Sequence, residues 1–130
     1  MKRILIIDND LGFVFWLGQA LDAAGYDTLP AKGVAEATEL LAHVRGNIDV
    51  LIVRYSTPGA ESFVADLRWT QRGQLKAIAL IDSADQETAS LPDWDAWQLK
   101  PALPDESARI TFLKLVQTVE LAVSKRALST

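Results

Sequence analysis

The sequence predicts an α/β domain in which short strands alternate with helices along the chain. Segments 4–7, 50–53 and 77–81 are runs of apolar residues, as in strands that are buried on both faces of a parallel sheet. Segments with helical spacing of apolar residues lie between them. Parallel strands need crossover connections, and these are right-handed, so the pattern favours a doubly wound five-stranded sheet with helices on both faces.

The strands are predicted from short runs rich in β-branched residues. The third predicted strand ends abruptly at the cation Arg54, and Pro58-Gly59 then turns the chain away. The second is weak, and Pro30 places it at an edge of the sheet. The predicted strands are 3–7, 26–31, 50–53, 75–81 and 96–99.

The helices are predicted from stripes of apolar residues. Asp10 or Asn9 can cap the first helix, and Gly25 stands where it should end. A short helix could also lie within 82–95, before Pro92. The predicted helices are 11–24, 34–44, 62–72 and about 105–127. The predicted inner residues are Phe13, Trp16, Leu17, Ala20, Leu21 and Ala24; Val34, Ala37, Leu40, Leu41 and Val44; Phe63, Leu67 and Trp69; and Phe112, Leu115, Val116, Val119 and Val123.

Length and composition exclude several classes of function. With 130 residues, the chain suits one domain, 1–130. The absence of Cys excludes disulfides, thiol catalysis and cysteine metal sites. The apolar run 4–7 is too short for a signal peptide or a membrane span. A net charge of −4 without a basic stripe argues against nucleic-acid binding. We therefore expect a soluble, cytoplasmic protein that binds neither membranes nor nucleic acids.

Polar residues follow the predicted strands at one edge of the sheet. Because the carboxyl ends of parallel strands meet in one crevice, we expect the residues that end these strands to converge. The first loop is acidic and lacks the glycines of phosphate loops, which argues against a phosphate or dinucleotide site there. The converging residues are Asp8, Asn9, Asp10, Arg54, Ile81, Asp82 and Lys100.

Segments 4–10, 49–59 and 99–101 resemble the three signature segments of the receiver domain of two-component response regulators. The resemblance covers essentially the whole chain. It implies a flavodoxin-like (βα)5 fold, a three-layer sandwich whose parallel strands have the order 2-1-3-4-5. It also implies a signalling module rather than an enzyme.

The chain departs from the receiver pattern at its reactive positions. The resemblance places Arg54 where receivers carry the phosphoacceptor aspartate, and arginine cannot form an acyl phosphate. Asp8 matches the first Mg²⁺-binding acid, but the second is Asn9, a poor ligand for a hard dication. Ile81 falls where receivers place a Ser or Thr hydroxyl. The lysine is kept as Lys100.

These departures predict a pocket without metal, cofactor or catalytic residue. Two acids, Asp8 and Asp10, balance two cations, Arg54 and Lys100, so the charges cancel without Mg²⁺. A guanidinium can hold a carboxylate bidentately and stays charged at any working pH. We therefore expect Arg54 to pair with Asp8 and Asp10 in place of the metal ion.

Several apolar residues fall off the predicted inner stripes and could form a partner surface. The alternative is that the last helix covers the first, so that these residues contact each other. The aromatic position of receivers that precedes the lysine is kept as Trp97, which we expect to be packed or half-buried rather than a moving switch. The candidate surface residues are Val14, Phe15, Trp94, Ile110 and Leu121.

The preferred function is a degenerate receiver in bacterial two-component or phosphorelay signalling. It would act without phosphorylation, through a signalling protein or a fused output domain as partner, and a homodimer is compatible with the sequence. One alternative is a working receiver whose phosphoacceptor has moved. Another is an enzyme or flavin binder of flavodoxin-like fold, but no Gly/Ser/Thr-rich phosphate loop follows Ile7.

Overall fold

The computed structural model describes residues 2–72, 74–82 and 94–121. Its strands are β1 (Arg3–Ile7), β2 (Asp27–Ala31), β3 (Val50–Arg54), β4 (Lys76–Ile81) and β5 (Ala96–Leu99). Its helices are α1 (Leu11–Ala23), α2 (Val34–His43), α3 (Ala60–Thr70) and α4 (Glu106–Leu121). The short helix predicted before Pro92 and the last turns of the final predicted helix, with Val123, lie outside the described residues.

The five strands form one parallel sheet with the order β2-β1-β3-β4-β5. This confirms the predicted topology. Strands β1 and β3 lie in the middle, in a register that pairs Ile4 with Val50 and Ile7 with Val53. Strand β2 is an edge strand, and its Pro30 is exposed. Proline has no amide hydrogen, and at an edge this interrupts no hydrogen bonds to a further strand.

Alternate strand residues enter two separate cores, one on each face of the sheet. Ile4 and Ile6 of β1 pack with residues of α1 and α4, whereas Leu5 and Ile7 pack with residues of α2 and α3. All four side chains are fully buried. This is the period-two alternation of a strand covered on both faces, and it confirms the three-layer, doubly wound arrangement.

Helix ends follow the capping signals of the sequence. The side chain of Asp10 caps α1 by accepting a hydrogen bond from the amide of Phe13 at 3.2 Å. Gly25, just beyond α1, has φ of +98°, a left-handed conformation that favours glycine. Asp105 caps α4, because its side chain accepts from the amide of Ala108 at 2.9 Å.

Four apolar residues occupy other environments than predicted. Ala24, expected on the inner stripe of α1, is exposed just beyond the end of that helix. Val14 is fully buried because α1 contacts both the sheet and α4, which widens its inner face. Trp94 is only 6% exposed and packs beside Tyr55, with ring centroids 6.4 Å apart. Neither residue can belong to an exposed partner surface. Trp69 is 87% exposed since α3 turns Val64 and Arg68 inward instead.

Two buried polar side chains of the α3 region tie this helix to the sheet. Nη2 of Arg68 lies 2.7 Å from Oδ2 of Asp95, which also accepts a hydrogen bond from the amide of Ala77. Gln71 donates to the carbonyl of Ile48 at 2.8 Å and accepts from its amide at 2.9 Å. The two side chains thereby provide partners for buried polar atoms, which would be costly to bury without a hydrogen bond.

Candidate functional site

The site lies at the carboxyl edge of the sheet, where loops leave four neighbouring strands. Asp8 and Asp10 follow β1, Arg54 ends β3, Asp82 follows β4 and Lys100 follows β5. The structure brings these side chains together, as expected for the ends of parallel strands. Their pairing, however, differs from the predicted one.

Lys100 bridges the two carboxylates of the first loop. Its Nζ lies 2.9 Å from Oδ2 of Asp8 and 3.2 Å from Oδ2 of Asp10. It also lies 4.9 Å from the ring centroid of Phe13, within reach of a cation–π interaction. The Asp8 side chain is fully buried, so this ammonium compensates a carboxylate that has lost its water.

Among the described residues, Asp82 forms the shortest ion pair with Arg54. Their Nη2 and Oδ2 atoms are 2.7 Å apart, and Nη1 donates to Oδ1 of Asn9 at 3.0 Å. The distance from Nη1 to Oδ1 of Asp8 is 3.9 Å. The prediction that Arg54 pairs with Asp8 and Asp10 was therefore wrong for Asp10, which pairs with Lys100, and Asp8 is only a distant partner of Arg54.

The register of the sheet explains this exchange of partners. Arg54 lies opposite Leu80 in the pairing of β3 with β4. Asp82, which directly follows β4, therefore lies beside the end of β3. The sequence placed Asp82 at this edge, but its role as the chief partner of Arg54 was missed. With Asp82 included, the site residues that the structure describes carry three carboxylates and two cations, one negative charge more than predicted.

Asp10 combines a structural role with an electrostatic one. The hydrogen bond from the Phe13 amide, followed by the interaction with Lys100, holds the pKa of Asp10 below its ordinary value. The amide of Asp10 in turn donates to Oδ1 of Asp8 at 3.0 Å. Capping of α1 and charge pairing at the site thus depend on the same loop.

The residues present do not fit a Mg²⁺ ion. Oδ2 of Asp8 faces Lys100, Oδ1 accepts the Asp10 amide, and the Arg54 guanidinium lies nearby. A hard dication needs several oxygen ligands, and the part of the chain that the structure describes holds no group of three acidic or imidazole side chains suited to a metal.

The remaining predicted site and surface residues lie either in the core or at the surface. Ile81 is 2% exposed and belongs to the core, and its side chain offers no hydroxyl to the site. Trp97, on β5, is 50% exposed, which agrees with the expectation of a half-buried ring. Phe15, Ile110 and Leu121 are exposed, so three of the five candidate surface residues lie on the surface.

No protein-family model and no curated protein matches the chain. Solved structures are similar in fold. A response regulator receiver protein from Burkholderia phymatum has a TM-score of 0.72 and 18% identity over 96% of this chain and 99% of its own. The chemotaxis response regulator CheY4 of Vibrio cholerae has a TM-score of 0.71 and 22% identity over 92% and 98%.

A third structure is the response regulator TrrA of Thermotoga maritima in complex with Mg²⁺ and BeF, with a TM-score of 0.69. It is 24% identical over 92% of this chain and 99% of its own. These likenesses span nearly the full length of each protein and agree with the strand order found here. The chain therefore has the CheY-like fold of response regulator receiver domains.

Proposed function

We propose that the chain is a degenerate receiver of two-component signalling, a protein-interaction module that works without phosphorylation. The observation that carries this proposal is the position of Arg54. It ends the middle strand β3, at the edge where the acidic residues gather, and its guanidinium is held by Asp82 and Asn9.

The chemistry of Arg54 supports an inert pocket. A guanidinium has no nucleophilic oxygen for a phosphoryl group and remains protonated at every working pH. It also supplies a fixed positive charge beside Asp8, 3.9 Å away, where a divalent cation would otherwise be needed. The ion pairs of Arg54 and Lys100 would hold this edge of the sheet together without a phosphoryl group or a divalent cation.

The function then depends on a protein partner, such as a signalling protein or a fused output domain in a bacterial cytoplasm. Helix α4 presents Ile110 and Leu121 to solvent, 42% and 86% exposed. Phe15 on α1 and Trp97 on β5 add aromatic surface, 55% and 50% exposed. Exposed apolar side chains of this kind are suited to protein contacts. The chain itself is proposed to catalyse no reaction.

Among the described residues, no helix has the length and apolar character needed to cross a membrane.

The test is incubation of the protein with acetyl phosphate and Mg²⁺, followed by intact mass spectrometry. We expect no phosphoryl mass increment, whereas a typical receiver treated in parallel should acquire one. If an increment appears, peptide mapping identifies the modified residue. Stable modification of any Asp at the sheet edge would show that the acceptor has moved and would replace the proposal with a working receiver.

A further inference from the structure

A cavity opens beside Arg54, on the side of the site away from Lys100. Its volume is about 300 Å³, within the lower range of small-molecule sites. Loops after β1, β2 and β3 and the start of α2 enclose it. Its lining is formed by Asn9, Lys32, Gly33, Val34, Ala35, Arg54, Ser56, Thr57 and Pro58.

The charged side chains that line the cavity in the described part of the chain are positive. Lys32 and Arg54 line it, and none of the carboxylates that the structure describes does. Asp8 and Asp10 contact Lys100. Asp82 contacts the Nη2 atom of Arg54, and Oδ1 of Asp8 lies 3.9 Å from its Nη1 atom, so these two carboxylates partly offset the charge of Arg54. Of the first loop, from which we expected repulsion of anions, the neutral Asn9 is the described residue that lines this space.

Neutral donors complete the lining. Ser56 and Thr57 contribute hydroxyl groups, which can donate hydrogen bonds to an anion. Helix α2 begins at the cavity wall, and its N-cap Gly33 has no side chain to cap the amides of the first turn, which include Val34 and Ala35. These amides and the helix dipole reinforce the positive potential of Lys32 and Arg54.

We propose that this cavity binds a small oxyanion of the phosphate class, reversibly and without covalent transfer. The volume accommodates a phosphate group with a small organic substituent. Tetrahedral oxyanions accept several hydrogen bonds at once, which suits a lining of two cations, hydroxyls and amides better than a planar carboxylate. Binding next to Arg54 would give the module a chemical input that does not need a phosphoacceptor. This inference goes beyond the proposed function and does not depend on it.

The test is a titration of the ¹⁵N-labelled protein with inorganic phosphate at constant ionic strength, monitored by NMR. We expect saturable shifts of the amides of Gly33, Val34 and Ala35, and weaker shifts with acetate. Lys32→Gln should weaken phosphate binding by up to about fivefold, the effect of one exposed charge pair. Lys114→Gln removes an equally exposed lysine on α4 and should leave binding unchanged.

Three results would overturn the inference. They are absence of saturable shifts, equal weakening by Lys32→Gln and Lys114→Gln, and acetate binding as tight as phosphate binding. Lys32 is exposed, so its substitution should not disturb folding, and the melting temperature checks this. Intact mass measured after the titration separates reversible binding from phosphorylation. The inference can thus fail while the proposed function stands, and the reverse also holds.

Discussion

The Nη2 atom of Arg54 lies 2.7 Å from Oδ2 of Asp82, so an ion pair joins the ends of the neighbouring strands β3 and β4. The two side chains are 28% and 38% exposed, which places the pair between a surface contact and a buried one. The same guanidinium reaches Asn9 and, at longer range, the buried Asp8. Arg54 thus connects the end of β3 with the loops after β1 and β4.

Arg54→Ala should lower the free energy of unfolding by about 1–2 kcal/mol, because the pair is only partly screened and Asp8 loses one of its two cations. Urea denaturation measures the change. Arg45→Ala, which removes an exposed arginine side chain from the loop after α2, is the matched control and should cost less than about 0.5 kcal/mol. Equal stability of the two variants would show that the Arg54 pairs contribute nothing.

Lys100→Met should destabilise the protein more strongly, by about 3 kcal/mol, since it leaves the fully buried Asp8 with only the distant Arg54. Methionine keeps the contact with the Phe13 ring while removing the charge. Adding Asp8→Asn to Lys100→Met should recover part of the loss, because the uncompensated charge is then absent. Additive losses in the double variant would contradict the pairing.

Gln71→Ala should cost about 2–4 kcal/mol of unfolding free energy, since it leaves both the amide and the carbonyl of Ile48 buried without their partner. Gln71→Glu keeps the acceptor and removes the donor, so it should also destabilise. Gln117→Ala, on the exposed side of α4, serves as the control in thermal and urea unfolding. A loss no greater than that of the control would show that water replaces the side chain at no cost.

Stability should fall at alkaline pH because of the pair between Tyr26 and Glu120. Burial, followed by the hydrogen bond to the Glu120 carboxylate at 2.6 Å, raises the pKa of Tyr26 from 10.0 to about 12. The folded state therefore holds the phenol proton more tightly than the unfolded chain. This contribution is fully present below the unfolded pKa of 10.0 and is lost as pH rises through about 12.

Urea unfolding between about pH 9 and about pH 12 measures this loss, and Tyr26→Phe removes the contribution of the phenol. The decline of the parent protein should be steeper than that of the variant over this interval. Parallel declines would mean that other groups cause the alkaline loss.

The apolar pattern predicted the alternation of parallel strands and helices, whereas the strand order 2-1-3-4-5 was implied by the resemblance to receiver domains. The unbroken runs around Leu5 and Leu51 favoured strands covered on both faces, and Pro30 favoured an edge strand. Asp10 as the cap of α1 also followed from residue type and position. These features depend on local chemistry, which a sequence displays directly.

Packing partners could not be predicted in the same way. Val14 lies one residue from the inner stripe of α1, and its burial depends on how closely α4 approaches. Trp94 is buried because Tyr55 lies beside it. Arg54 pairs with Asp82 rather than Asp10 because of the register between β3 and β4. Each of these depends on tertiary geometry that spacing along the chain does not contain.

The central claim is that Arg54 takes the place of both metal and phosphoacceptor. Its most direct test is a Mg²⁺ titration, with beryllofluoride added at the end, monitored by the NMR signals of Asp8, Asp10 and residue 54. We expect the parent protein to show no saturable shifts at these amides, and Arg54→Asp, which supplies a carboxylate at this position, to show them. Saturable Mg²⁺ binding by the parent protein, centred on Asp8, would contradict the account.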